Sequence, residues 1–203
     1  MKDDSVLFVG PYPPPVHGQS YAFKMAFDNY PSKKILLSQN LESKGFLLKI
    51  VLTFFYILRY HYIFFTKKVS VVYLTCSRSL FGCFKDVVLI KLAHCKGVKL
   101  INHIHAANFD KFLNSLPFFI QKIYLDAFKK VPIYICLLPE MKKEFCDFES
   151  NSKIESVANF YDPELDSISD VKINDSGNIV ISYFSNIVYS KGIFDLIDAF
   201  NLL

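Results

Sequence analysis

The 203-residue sequence contains no tryptophan, only seven glycines and five cysteines. Each shortage removes a class of protein. So little glycine excludes a collagen-like or glycine-rich low-complexity chain. The cysteines (Cys76, Cys83, Cys95, Cys136, Cys146) are odd in number and form no C-x-x-C pair, so they outline neither a disulfide framework nor a cysteine-rich zinc site. Buried thiols in a reducing cytoplasm are the expectation. Met1-Lys2-Asp3-Asp4 carries two acids and leads into a short apolar run, which is not the pattern of a secretory signal. There is also no G-x-G-x-x-G and no P-loop lysine, so a dinucleotide or Walker-type phosphate site is unsupported.

What is abundant is apolar and aromatic surface: the chain is 52% hydrophobic, with 21 Phe and 12 Tyr. That composition argues for a real core and against disorder. The net charge of +4 hides an asymmetry. Residues 1–130 hold 18 Lys and Arg against 7 acids (+11), and residues 131–203 hold 5 against 12 (−7). An anionic partner is expected to meet the first part. Two solvated faces of opposite sign are the alternative. No recognisable nucleic-acid motif accompanies the positive charge, so nucleic acid is not expected as a partner.

Short, unbroken apolar runs at residues 6–9, 71–75, 98–103, 133–138 and 179–184 read as strands buried on both faces. Helix-length segments separate them, among them 86–94 and 117–130, and a further helix begins near Ser20. The pattern predicts an α/β fold, a parallel sheet flanked by helices. Residues 1–160 form the expected first domain. Residues 161–178, with five acids, Pro163 and Gly177, read as a linker. Residues 179–203 open a second α/β unit whose helical spacing runs to the last residue without a capping signal, so a truncated second domain is expected.

Residues 46–65 are nearly all apolar or aromatic. A membrane span there would carry Lys49 and Arg59 inside it, at roughly 2.5–3.5 kcal/mol for a cation near the bilayer centre. It would also divide strands 6–9 and 71–75 between the two sides of a membrane. A crossover helix that touches an anionic membrane surface fits the neighbouring Lys49, Arg59, His61, Lys67 and Lys68. A plain core helix is the other reading.

Two segments could carry chemistry. After the first strand comes Gly10-Pro11-Tyr12-Pro13-Pro14-Pro15-Val16-His17-Gly18-Gln19-Ser20, at the strand end where open α/β sheets bind ligands. Gly18 would let a phosphate or sugar approach the backbone near a helix N-terminus. His103 and His105 lie two apart at the end of the third predicted strand, on one side of it. A metal would need three or four ligands, and no further Cys or acid stands at a helpful spacing. One histidine facing the cleft and one satisfied within the fold is the expectation.

These pieces occur in a recognisable order. The order runs from Val6-Leu7-Phe8-Val9-Gly10-Pro11-Tyr12-Pro13-Pro14-Pro15-x-x-Gly18 to Val72-Tyr73-Leu74-Thr75 followed by Arg78-Ser79 and Asp86. His103-x-His105, Val157-Ala158-Asn159 and Lys191-Gly192-Ile193-x-Asp195-Leu196-Ile197-x-Ala199-Phe200 complete it. Together they resemble a family-4-type bacterial glycosyltransferase of the GT-B fold. The resemblance implies two facing Rossmann-like domains, with the acceptor handled by the first and a nucleotide-sugar donor by the second. It implies hexosyl transfer to a saccharide or lipid-linked acceptor in polysaccharide assembly (capsule or O-antigen), with retained anomeric configuration, no cofactor and no metal. The missing secretory signal gives the expectation of a cytoplasmic location, either free or, if residues 46–65 touch lipid, peripheral at the inner face of the plasma membrane.

Carried over by residue, the resemblance makes His105 the catalytic cleft histidine. Gly18, His17, Asn159, Asn186 and Lys191 become the residues that meet the donor diphosphate and the acceptor, with Lys191 the cation on the leaving diphosphate. The sequence also departs from the family. His17 stands where a second glycine is common, Ser185-Asn186 where Gly-Arg is usual, and a Glu-x7-Glu donor-sugar region would lie beyond Leu203. The 203-residue chain alone is therefore expected to transfer no sugar. The reading from a different class is a noncatalytic half that docks with a separate donor-binding chain.

Overall fold

The structure is a computed structural model that describes residues 4–38, 45–105, 107–148, 151–159, 181–185, 187 and 189–202. The chain divides into two compact units, Met1–Phe160 and Tyr161–Leu203.

The first unit runs β1 (Ser5–Gly10), α1 (Gly18–Asp28), β2 (Lys34–Ser38), α2 (Phe46–Thr66), β3 (Val69–Leu74), α3 (Leu80–Cys95), β4 (Lys99–Ile104), α4 (Phe109–Asn114), α5 (Phe118–Phe128), β5 (Ile133–Cys136), a 3-10 helical stretch (Pro139–Phe148) and β6 (Lys153–Ser156). The six strands form one parallel sheet in the order β2-β1-β3-β4-β5-β6. This is a Rossmann-like α/β architecture, as the alternation of apolar runs and helical segments predicts. The chain leaves β1 in one direction to make β2, then crosses back over it to make β3. The strand order therefore reverses at β1.

Alternation along β1 assigns the two faces of the sheet. Val6 and Phe8 pack on Phe23 of α1. Leu7 and Val9 join the larger cluster with Tyr60 of α2, Ile90 of α3 and Phe128 of α5. All six residues of β1 are buried, which is why its sequence reads as an unbroken apolar run. Much of the aromatic excess lies in the larger cluster. Tyr124 stacks on Phe128 with centroids 3.9 Å apart, and Tyr134, Phe145 and Phe148 pack around them. Burying each such side chain contributes roughly 1.5–3 kcal/mol.

Residues 46–65 prove to be a helix laid along the sheet. Tyr56 Oη donates to the Leu37 carbonyl of β2 at 3.1 Å, and Tyr60 Oη donates to the Leu89 carbonyl of α3 at 3.0 Å. α2 joins β2 to β3, and both of those strands pair with β1. A helix so connected does not cross a bilayer.

Two strands lie outside the apolar runs. β2 (Lys-Ile-Leu-Leu-Ser) and β6 (Lys-Ile-Glu-Ser) occupy the two edges, where a strand has one neighbour and tolerates charge. Pro117 stands at the N-cap of α5 rather than within its first turn.

In the second unit, the described residues hold a short 3-10 turn (Tyr189–Lys191) and α6 (Ile193–Phe200). Residues 181–184 form no strand, contrary to their apolar pattern, because a strand is held by its neighbours and none of the described residues pairs with this segment. Residues 179 and 180 and the predicted linker at 161–178 lie outside the described residues.

Candidate functional site

The carboxyl ends of β1, β3 and β4 meet at the reversal of strand order, the position where open α/β sheets bind ligands. Three loops stand there: residues 11–17 after β1, 75–79 after β3, and 105–108 after β4.

The first loop contains two cis peptide bonds, Pro13–Pro14 and Pro14–Pro15, and ends on His17. His17 is the N-cap of α1. Its Nδ1 accepts from the Ser20 backbone N–H at 3.3 Å, while Ser20 Oγ accepts from the His17 N–H at 3.0 Å, forming a capping box. The Ser20 hydroxyl is buried and donates to the Pro15 carbonyl at 2.9 Å, closing the loop onto the helix. Gly10 allows α1 to lie close: a Cβ there would come within 2.6 Å of the Phe23 ring. A Cβ on Gly18 would meet nothing within 4 Å, so the first turn of α1 opens outward at this edge, where the helix dipole favours an anion.

The second loop is pinned from below by a buried pair. Asp86 Oδ2 accepts from the Ser77 N–H at 2.7 Å. Lys85 Nζ lies 3.0 Å from Asp86 Oδ1 and 3.3 Å from Ser77 Oγ, with both charged side chains buried. Burial pushes the Asp86 carboxyl upward, while Lys85 and the Ser77 N–H oppose it. Ser79 caps α3 by accepting from the Gly82 N–H at 3.2 Å. Arg78 Nη1 donates to the Ala107 carbonyl at 2.9 Å and ties this loop to the third.

At the end of β4, His103 and His105 stand side by side, with ring centroids 3.9 Å apart and planes 31° apart. Nearly parallel rings do not aim their nitrogens at one point. Tyr73 of β3 hydrogen-bonds His103 Nδ1. Burial raises the Tyr73 phenol, so it stays protonated and donates. That leaves the His103 proton on Nε2. Burial lowers His103 to about 3, with a smaller effect of His105, and lowers His105 to about 4. Both rings are therefore neutral at neutral pH. The Nε2 atoms of both are buried and have no hydrogen-bond partner among the described residues. Just beyond, Asn108 turns the chain into α4 with φ 62° and ψ 40°, a left-handed conformation that asparagine tolerates better than most residues.

The structure thus brings His17, Gly18 and His105 to one edge, with β1 and β4 two strand spacings, about 10 Å, apart. Of the histidine pair, His103 is the one tied into the fold. Asn159 is exposed beyond β6, four strand spacings or about 19 Å from β1, and does not join the Gly18 loop. Lys191 belongs to the second unit, exposed, its carbonyl accepting from Tyr183 Oη at 3.1 Å. Asn186 lies outside the described residues. The roles of Tyr73 and Ser20 are not assigned by the sequence reading. The signal for Tyr73 is a single hydroxylated aromatic in the otherwise small and aliphatic strand Val-Ser-Val-Val-Tyr-Leu. Among the described residues, no group of three or more His, Cys, Asp or Glu could hold a metal ion. No protein-family model matches the chain, and no curated protein matches it.

Proposed function

We propose that the chain is the acceptor-side part of a retaining glycosyltransferase that moves a sugar from a nucleotide-sugar donor to a saccharide or lipid-linked acceptor in polysaccharide assembly. The observation that carries the reading is the pair of neutral, buried imidazoles whose Nε2 atoms lack partners among the described residues, at the same carboxyl edge as the open first turn of α1. Buried polar atoms without partners are rare, and a ligand that supplies hydroxyls is a natural way to satisfy them. The ordered motifs quoted above support the same reading. In this scheme His103, fixed by Tyr73, and His105 orient hydroxyls by hydrogen bonds, since neither ring is charged at neutral pH.

In the reaction, the bond from the anomeric carbon to the diphosphate oxygen breaks and a bond from that carbon to the acceptor hydroxyl oxygen forms on the same face. The hydroxyl proton leaves with the departing diphosphate. Lys191 is the proposed cation for the charge on that leaving group. The test is an NMR titration of the chain with nucleoside diphosphates, nucleotide sugars and oligosaccharides. Resonances of the His17–Ser20 amides and of the His105 ring are expected to shift. If no compound moves them at saturating concentration, the reading is wrong.

A second reading, a noncatalytic half that docks with a donor-binding chain, is favoured by α6. None of its residues is buried, and Phe194, Ile197 and Phe200 are exposed. A stoichiometric complex with a separate donor-binding chain, seen by sedimentation velocity and broken by Ile197→Asp, would support it; a chain that remains free in such a mixture would not.

A further inference from the structure

We infer that the outer surface of α2, with the ends of α3 and α5 beside it, seats the protein on an anionic lipid bilayer, with α2 lying in the plane of the interface. The surface stands on its own residues, whatever the cleft transfers.

α2 is apolar on two opposite sides. Tyr56, Tyr60 and Ile63 face the core. On the outside, Leu47, Val51, Phe54, Leu58, Tyr62 and Phe65 recur at spacings of three and four and are all exposed, Leu47 at 76% and Phe65 at 71%. The rise along the helix from Leu47 to Phe65 makes this stripe about 27 Å long. α3 packs beside α2, and α5 beside α3. The amino-terminal turns of α3 and α5 extend the apolar surface with Phe84, Phe118 and Phe119, the last 78% exposed. α3 follows the carboxyl end of β3 directly, and α5 follows that of β4 through the short α4, so the extension lies toward the edge that carries the candidate site. A contiguous exposed surface of this kind marks an interaction site rather than scattered surface residues.

The charge around the stripe selects the occupant. Between Glu42 and Asp110 the sequence contains a single carboxylate, Asp86, against ten Lys and Arg. Asp86 is buried beside Lys85, so no exposed acid remains in that stretch. Lys49 and Arg59 lie on α2 itself, Lys96 sits over the Phe65 ring with Nζ 4.3 Å from the centroid, and Lys122 lies on α5. The one exposed acid on these three helices, Asp126 of α5, is paired with Lys91 and Lys130. A second copy of the chain would set this predominantly cationic surface against itself, because a twofold interface pairs like with like. A bilayer containing anionic lipid accepts both the apolar stripe and the cations, with the apolar side chains about 5–10 Å into the interface. Spanning is excluded by the pairing of β2 and β3 with the same strand, β1.

Because the sequence lacks tryptophan, a single introduced one reports without background. Phe54→Trp places it on the stripe; Ser32→Trp places it in the exposed turn between α1 and β2. With vesicles of phosphatidylcholine and phosphatidylglycerol, the protein is expected to sediment with the lipid. The Phe54→Trp emission should shift to the blue and be quenched by lipids brominated on the acyl chains, while Ser32→Trp is unaffected. Raising salt from about 0.1 M to about 1 M, which shortens the Debye length from about 10 Å to about 3 Å, should weaken binding. The exposed-site variant Val51→Ser/Phe54→Ser/Leu58→Ser should lose about tenfold or more in partitioning with its circular dichroism unchanged. A protein left in the supernatant, an unquenched Phe54→Trp, or equal binding to pure phosphatidylcholine overturns the inference. So does a stable dimer that ignores the vesicles, which would assign the stripe to a second copy.

Discussion

His103 and His105 stack ring on ring at 3.9 Å, and the phenol of Tyr73 fixes the first of them from the neighbouring strand. An aromatic path runs from Phe23 of α1 to Tyr73 at 6.1 Å and from Tyr73 to His103 at 5.9 Å. The helix that opens at Gly18 and the histidine pair are thereby parts of one packed structure. Movement at either should be felt at the other.

The pair should make the fold sensitive to acid. Burial holds His103 at about 3 and His105 at about 4, below the value of about 6.5 expected in the unfolded chain. The unfolded state therefore takes up protons at these rings before the native state does. Their contribution is fully present above the unfolded value and is lost as the pH falls from about 6.5 through about 4 to about 3. At about pH 5 the loss is about 2 kcal/mol for each ring. Urea unfolding at about pH 7 and about pH 5 should show a drop, and His103→Gln/His105→Gln should remove about 4 kcal/mol of it. An unchanged drop in the double variant would show that the rings are not held neutral.

Tyr73→Phe takes away the donor to His103 Nδ1 and leaves a buried acceptor unsatisfied. A destabilisation of about 1–3 kcal/mol is expected. The change should also appear in the ¹⁵N shifts of the His103 ring, which lose the pattern of a fixed Nε2–H tautomer. A merely steric role for Tyr73 would leave those shifts unchanged.

The buried Lys85–Asp86 pair predicts an asymmetry between single and double replacement. Asp86→Ala leaves the buried Lys85 without its carboxylate and the Ser77 N–H without its acceptor, at a cost of about 3–5 kcal/mol. Lys85→Met/Asp86→Leu removes both charges and should recover most of that loss. Thermal unfolding of the three proteins distinguishes them. A single variant as stable as the double one would mean that the pair does not hold the β3–α3 turn.

Two glycines separate packing from access. A Cβ at Gly82 would stand 2.2 Å from Ser77 Cβ, so Gly82→Ala must displace the turn and should cost about 1–3 kcal/mol. Gly18→Ala meets open space in the first turn of a helix and should leave the melting temperature unchanged or slightly higher. If the Gly18 turn contacts ligand, Gly18→Ala should nevertheless weaken the ligand-induced NMR shifts. Equal loss of stability in both variants would contradict the geometry.

The inner strands were legible because a strand buried on both faces leaves an unbroken apolar run, as in Val6, Leu7, Phe8 and Val9. Edge strands leave no such mark. Lys34, Lys153 and Glu155 are affordable in β2 and β6 because each has one neighbour and a side open to water. α2 was readable from its length, but its two opposite apolar sides become distinct only when Tyr56 and Tyr60 are seen bonded to Leu37 and Leu89. The histidine pair was readable from its spacing. Its neutral state comes from burial, which only the folded sheet supplies. The choice of His103 as the tethered ring depends on Tyr73, which sits 30 residues earlier and arrives only through strand pairing. His17 read as a ligand-side residue from its place in a motif, whereas its Nδ1 serves as the cap of α1.

The two-sided apolarity of α2 also sets a condition on biosynthesis. A ribosome releases residues 46–66 before β3 and α3, the elements that hold this helix against the sheet. During that interval the segment has the length and hydropathy by which targeting machinery recognises a membrane anchor. The protein keeps its parallel sheet only if β3 joins β1 before the segment is handed to a translocation channel, so the order of emergence, as much as the final contacts, decides on which side of the membrane the fold is completed.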